Sequence, residues 1–172
     1  MSLLKIYHYP EPILKVPAKQ VTTFDAGLQQ LAKDMAETMY AAPGIGLAAP
    51  QVGISQRVIV IDCSPKEAPP RLIVAINPVI IARSGERCEE EGCLSLPGYY
   101  ANVPRSEEVT VILQNLKGER CEVTAAGLLA VAFQHEIDHL DGILFVDHLS
   151  PLKRGIFRRK YRKIMEQQEE QL

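Results

Sequence analysis

Apolar positions between Asp25 and Ala41 recur at helical spacing, with Leu28, Leu31, Ala32, Met35 and Met39 at i, i+3, i+4 intervals. The pair Pro43-Gly44 ends that helix. A loop, GIGLAAPQVGI (44–54), follows, and then the pattern shortens into β-rich runs at 57–62, 71–77 and 79–84. Two more runs, 108–116 and 119–125, flank Lys117-Gly118 and predict a hairpin. Prolines 65, 69, 70, 78, 97 and 104 favour short, interrupted strands over one long parallel sheet.

Thr124 is positioned to cap a second helix, AAGLLAVAFQHEIDHL, which stops at Gly142. Its first half is apolar nearly all round, as expected of a helix buried within a domain. Ser150-Pro151 opens a third helix, expected over about 151–171. The order contains no βαβ alternation. It predicts an α+β fold, with short, mostly antiparallel strands around a buried central helix and one helix towards each terminus.

A chain of 172 residues with 47% apolar content fits a single domain, 1–172. The formal charge of −2 excludes a chain-wide affinity for nucleic acid, so such a role needs a local patch. No 18-residue apolar run and no leader-like segment occur, which predicts a cytoplasmic protein without a membrane span. Cys63, Cys88, Cys93 and Cys121 read as buried, metal-bound or reactive thiols rather than a disulfide framework.

The strongest chemical signal is HEIDH, His135 to His139, inside the most apolar helix. Histidines at i and i+4 share one helical face, so both imidazoles can reach one metal ion. Glu136 lies about 100° round the helix from His135, clear of the metal yet within reach of a bound water, where a general base is needed. Burying two His, one Glu and one Asp there is costly without a partner that satisfies them, and a metal is such a partner.

The site still lacks a third protein ligand. A metzincin would take a histidine at 145, where this chain has Phe; His148 comes three residues late. A thermolysin-like ligand would be Glu166, set in a highly charged helix. Cys93, in the Gly-bounded, turn-like run EGCLSLPG (91–98), is the better candidate, because a metal stabilises its thiolate. Glu91 either pairs with Arg105 behind the ligands or faces solvent.

GIGLAAPQVG (44–53), EGCLSLPG (91–98) and QHEIDHLDG (134–142) resemble, in order, the three motifs of the peptide deformylase family, and the likeness covers essentially the whole chain. The resemblance implies a metal-dependent hydrolase that removes the formyl group from N-formylmethionine of nascent polypeptides, releasing formate. It implies Cys93, His135 and His139 as metal ligands and Glu136 as the general acid/base, with Gln51 and the Leu94 backbone N–H stabilising the oxyanion. Ile45 and Gly46 would pair with the substrate backbone, and Ile45, Leu128, Val131 and His135 would line the methionine pocket. After LPG the chain carries Tyr99-Tyr100, where several relatives have a polar or basic residue, so an Arg contact to substrate does not carry over.

A His₂Cys set suits zinc by softness and geometry, whereas the resemblance implies Fe²⁺ physiologically, with Zn²⁺, Ni²⁺ or Co²⁺ in preparations. From Lys153 to Lys163 seven of eleven residues are basic, a local patch in an otherwise acidic chain. The resemblance implies ribosome docking through this helix. A monomer is expected. Two other readings are a zincin-type peptidase, separated by internal peptide cleavage against formyl-Met-peptide turnover, and a catalytically silent homologue, against which the intact Glu136 and Gln51 argue.

Overall fold

The computed structural model describes residues 3–170. It has three α-helices, α1 (Ala26–Ala41), α2 (Gly127–Leu140) and α3 (Pro151–Glu170). The strands are β1 (Gly46–Ala48), β2 (Val58–Ile61), β3 (Ile73–Ser84), β4 (Arg87–Cys93), β5 (Leu96–Arg105), β6 (Glu108–Gln114) and β7 (Arg120–Ala126). One antiparallel sheet has the order β1-β2-β3-β6-β7, and β4 and β5 form a separate two-stranded sheet. The architecture is α+β, with small antiparallel sheets. The expected end of the last helix at 171 lies outside the described residues.

Strand β2 shows how the layers form. All four of its residues are buried, because alternate side chains serve different helices. Ile59 and Ile61 join α2 residues Ala130, Phe133, Ile137 and Leu140 in one cluster. Val58 and Val60 join Leu28, Met35 and Met39 of α1 in another. The sheet is therefore covered on both faces here, which removes the alternation a half-exposed strand would show. Asp25 caps α1, its Oδ1 accepting from the Leu28 N–H at 3.0 Å.

Several expectations change. Runs 71–77 and 79–84 are one strand, β3, because Pro78 falls within a register shift where no ladder donor is required. Asn77 adopts φ +49° there, and its side chain holds Val21 through both N–H and C=O. Thr124 caps nothing: it pairs with Thr110 in β7, and α2 begins three residues later at Gly127. The loop over 44–54 contains the short strand β1. The run 91–98 is the tip of the β4–β5 hairpin, which the polar, Gly- and Pro-marked sequence concealed. Pro97 and Pro104 are tolerated in β5 because it is an edge strand with an unpaired side.

The hairpin and α3 enclose a third apolar cluster with Leu14, Leu96, Val103, Phe145 and Val146. Helix α3 contributes Phe157 and Tyr161, and its first turn is capped by Ser150 Oγ, which accepts from the Lys153 N–H. Tyr9 and Tyr99 pack edge-on against Phe157 with ring centroids 5.3 and 4.8 Å away. Phe157→Ala is expected to cost about 3–5 kcal/mol of stability, read as a lower guanidinium midpoint; an unchanged midpoint would mean that α3 does not belong to the folded core.

Candidate active site

Helix α2 and the tip of the β4–β5 hairpin bring the donor atoms together. His135 and His139 sit one turn apart on α2, their Nε2 atoms 3.2 Å apart. Cys93, the last residue of β4, places its Sγ 3.3 Å from His139 Nε2. These three ligand atoms all lie within 4.8 Å of one another. A tetrahedral ion with bonds of 2.0–2.3 Å would separate such donors by roughly 3.3–3.6 Å. The soft sulfur and two imidazoles therefore fit one divalent ion of the zinc or iron type.

Buried polar atoms support the same reading. Glu136 is buried beside the triad, its Oε2 4.0 Å from His135 Nε2 and its Oε1 without a hydrogen-bond partner among the described residues. Such an atom is costly unless something in the site engages it. Burial pushes the Glu136 carboxyl up to about 7, with His135 pulling against the rise and Glu91 adding to it. Burial also holds His139 well below the usual imidazole range, and neighbouring His135 lowers it further. On His135 burial acts the same way, but Glu136, Cys93 and Glu91 outweigh it and raise the ring well above that range.

Gly46 makes room for the carboxylate. A Cβ at this position would lie 2.5 Å from Glu136 Oε2, so only glycine lets β1 pass so close. The sequence assigns Gly46 to pairing with the substrate backbone; the structure adds that Glu136 itself requires a glycine there. Gln51 lies 1% exposed in a 3₁₀ turn over Ala49–Val52. Its Oε1 accepts from the Ala48 N–H at 2.9 Å, which fixes which way the amide faces. Its Nε2 then donates to Ser95 Oγ at 3.1 Å and points at Cys93 Sγ at 3.5 Å.

Glu91 faces inward and is buried. It accepts two hydrogen bonds from Arg105, from Nε at 2.8 Å and Nη2 at 2.9 Å, and its Oε1 lies 2.9 Å from His135 Nδ1. Burial works against its charge, but the bonds from His135 and Arg105 hold its carboxyl below the usual range. Arg105 Nη1 also donates to Asp138 Oδ2 at 2.7 Å, and the same oxygen meets His148 Nε2 at 2.8 Å. Asp138 and His148 went unassigned as partners in the sequence. Asp138 stands inside HEIDH, three residues beyond His135, but which side chains it meets depends on two distant segments.

Ile45, Gly46, Gln51, Cys93, Leu94, Leu128, Val131, His135 and Glu136 all line one cleft of about 540 Å³ between α2, β1 and β4. His139 lies behind it, 1% exposed. Ile45 and Leu128 are exposed at the rim at 45% and 51%. The two tyrosines after LPG part company: Tyr99 is half-buried and stacks on Phe145, whereas Tyr100 lines the cleft. Cys63 stays outside the donor set, and burial pushes its thiol up to about 11.

A thiolate and two imidazoles beside a buried carboxylate and an oriented amide make the donor set of a metal-dependent hydrolase. Residues 3–155 match the family model described as polypeptide deformylase. The chain is 55% identical over 164 residues to a peptide deformylase of Acidobacterium capsulatum, covering 95% of this chain and 96% of that one. It is 52% identical to a peptide deformylase of Thermodesulfovibrio yellowstonii, covering 94% and 98%. The crystal structure of a peptide deformylase from Legionella pneumophila superposes with a TM-score of 0.91 at 49% identity, covering 98% of each chain. The chain belongs to the polypeptide deformylase family.

Cys93→Ser is expected to lose bound metal, whereas Cys63→Ser, Cys88→Ser and Cys121→Ser should each retain about one equivalent. Metal analysis of the four purified variants checks the assignment, and full metal content in Cys93→Ser would remove Cys93 from the donor set.

Proposed function

We propose that this enzyme removes the formyl group from N-formylmethionine at the start of nascent polypeptides, with Cys93, His135 and His139 as ligands of one divalent ion. The observation that carries this reading is the convergence of the three donors beside the unpartnered Oε1 of Glu136. The ion, when bound, supplies a Lewis acid that polarises the formyl oxygen and acidifies a water.

The chain's own residues supply the rest. Glu136 accepts the proton of the attacking water and delivers it to the departing amine nitrogen, a role suited to a carboxyl raised to about 7. One Gln51 amide N–H bonds Ser95; the other, which points at Cys93 Sγ at 3.5 Å, turns with the Leu94 backbone N–H to the oxygen on which charge develops. Ile45 and Gly46 offer backbone at the edge of the five-stranded sheet, where an extended peptide adds as a further strand. Ile45, Leu128 and Val131, with His135, give the methionine side chain an apolar pocket.

The physiological ion is Fe²⁺ in this reading, with Zn²⁺, Ni²⁺ or Co²⁺ able to replace it; the ligand set accommodates all four. An iron–thiolate site is oxygen-sensitive, so activity is best measured anaerobically. The chain acts as a monomeric single domain in the cytoplasm; among the described residues no helix is long and apolar enough to cross a membrane. The basic run Lys153–Lys163 on α3 docks the enzyme on the ribosome. Its Phe157 and Tyr161 face inward, which leaves the charged positions outward.

Glu136→Ala should retain the metal and lose at least about 100-fold in formate release from formyl-Met-Ala-Ser. Full activity in that variant would refute the mechanism, and cleavage of internal peptide bonds in place of formate release would mark a peptidase. Ribosome binding should weaken steeply between about 50 and 200 mM salt and on removal of residues 153–172. Binding indifferent to both would refute the docking role.

A further inference from the structure

Two rows of side chains form facing walls of the cleft. On α2 they are Leu128, Val131, Ala132 and His135, at i, i+3, i+4 and i+7. On β4 they are Arg87, Glu89 and Glu91, which the two-residue period of a strand puts on one face. Both rows start at the metal end, where Glu91 Oε1 lies 2.9 Å from His135 Nδ1. Both also end together. Arg87 Nη1 lies 3.5 Å from where a Cβ on Gly127 would stand, at the start of α2. The walls thus bound a trough about 10 Å long, the rise of seven helical residues.

Its chemistry changes along its length. The inner part is apolar on the α2 side, but the outer end is an ion pair. Arg87 bonds to Glu89 and, from Nη1, to Glu107 Oε2 at 3.1 Å. Its side chain is 18% exposed, against 63% for Glu89 and 48% for Glu107, so the guanidinium lies along the protein while its carboxylate partners reach water. Glu107 also accepts the Gly127 N–H on its backbone carbonyl at 3.0 Å, so the strap joins β4 to the start of α2.

We propose that the Arg87–Glu89 pair closes the outer end of the pocket for the N-terminal side chain and sets the side-chain length that this enzyme accepts. The inference rests on the deformylase reading above. A methionine side chain in extended rotamers reaches about 5–6 Å beyond its Cα, so its methyl group stops within the apolar part of the trough. A side chain longer by several methylenes has to press apolar atoms against a charged pair or prise it open, and either strips hydration and hydrogen bonds without replacing them. Unbranched side chains of methionine length are accepted, and longer ones are rejected by the pair rather than by lack of apolar wall.

The test is a length profile on formyl-X-Ala-Ser peptides, with X as methionine, norleucine, 2-aminooctanoate and 2-aminodecanoate, read as kcat/KM for formate release. In the native enzyme the value should fall at least about tenfold from norleucine to 2-aminodecanoate. In Glu89→Leu the fall should shrink to under about threefold. Glu89→Gln, which keeps a polar head on Arg87, should keep the native profile. Arg87→Leu provides a second, independent opening of the same end, with circular dichroism confirming that each variant is folded. A mere loosening of β4 would lower all four substrates alike and leave their ratios unmoved, which would overturn the proposal. A flat native profile would overturn it as well. If the native enzyme releases no formate from formyl-Met-Ala-Ser, the deformylase reading fails first and this proposal with it.

Discussion

Arg105 sits at the end of β5 with its side chain only 4% exposed, and one guanidinium there holds two carboxylates, Glu91 on β4 and Asp138 on α2. Glu91 in turn meets His135, and Asp138 meets His148. The chain His148–Asp138–Arg105–Glu91–His135 is therefore a polar seam between the hairpin and α2. The β4–β5 sheet shares no ladder with the five-stranded sheet, so beyond its short links to β3 and β6 and the Tyr9 N–H bond to the Ser95 carbonyl, its position over α2 comes from side chains. A buried ion pair is weak evidence for stability, since desolvation offsets much of the attraction. What it offers here is register. Satisfied in one arrangement and costly in others, the seam fixes where the hairpin tip, and with it Cys93, stands relative to the histidines.

The open cleft follows from the same separation. β1 ends one sheet and β4 and β5 make another, so α2 can present one face between them to the outside. At the inner end of the cleft Gly46 lies close against Glu136, and Gln51 bonds to Ser95. The outer end is tied by Arg87 and Glu107. Helix α3 supports the hairpin from behind through Phe157 and Tyr161, which pack among Tyr9, Tyr99 and Phe145. Its inner face thus stabilises the fold, while its outer face carries the basic run.

Much of this was legible beforehand. α1 and the later part of α2 follow the 3.6-residue period, and the β6–β7 hairpin follows its turn residues. The motif HEIDH carries its geometry in its own spacing, because a helix puts i and i+4 on one side. Less legible was the stretch from Arg87 to Arg105. Its burial pattern is mostly exposed or intermediate, and prolines at 97 and 104 argue against strands. An edge hairpin tolerates both, since its free side asks for no ladder donor and its outer face asks for no apolar residue.

From the sequence alone came the residue types the chemistry needs: a thiol in EGCLSLPG, two imidazoles and a carboxylate on one helix, and an amide in the glycine-rich first motif. Local periodicity determined that His135 and His139 face the same way. Only the tertiary structure shows Cys93 Sγ brought within reach of both imidazoles and Glu91 turned inward to Arg105. It alone separated Tyr99, which packs on Phe145 and Phe157, from Tyr100, which lines the cleft. Helical spacing is enforced by hydrogen bonds within a few residues, so it can be read along the chain. The meeting of Cys93 with His139, 46 residues apart, is set by packing and by a buried polar seam whose members come from β4, β5, α2 and the turn that follows.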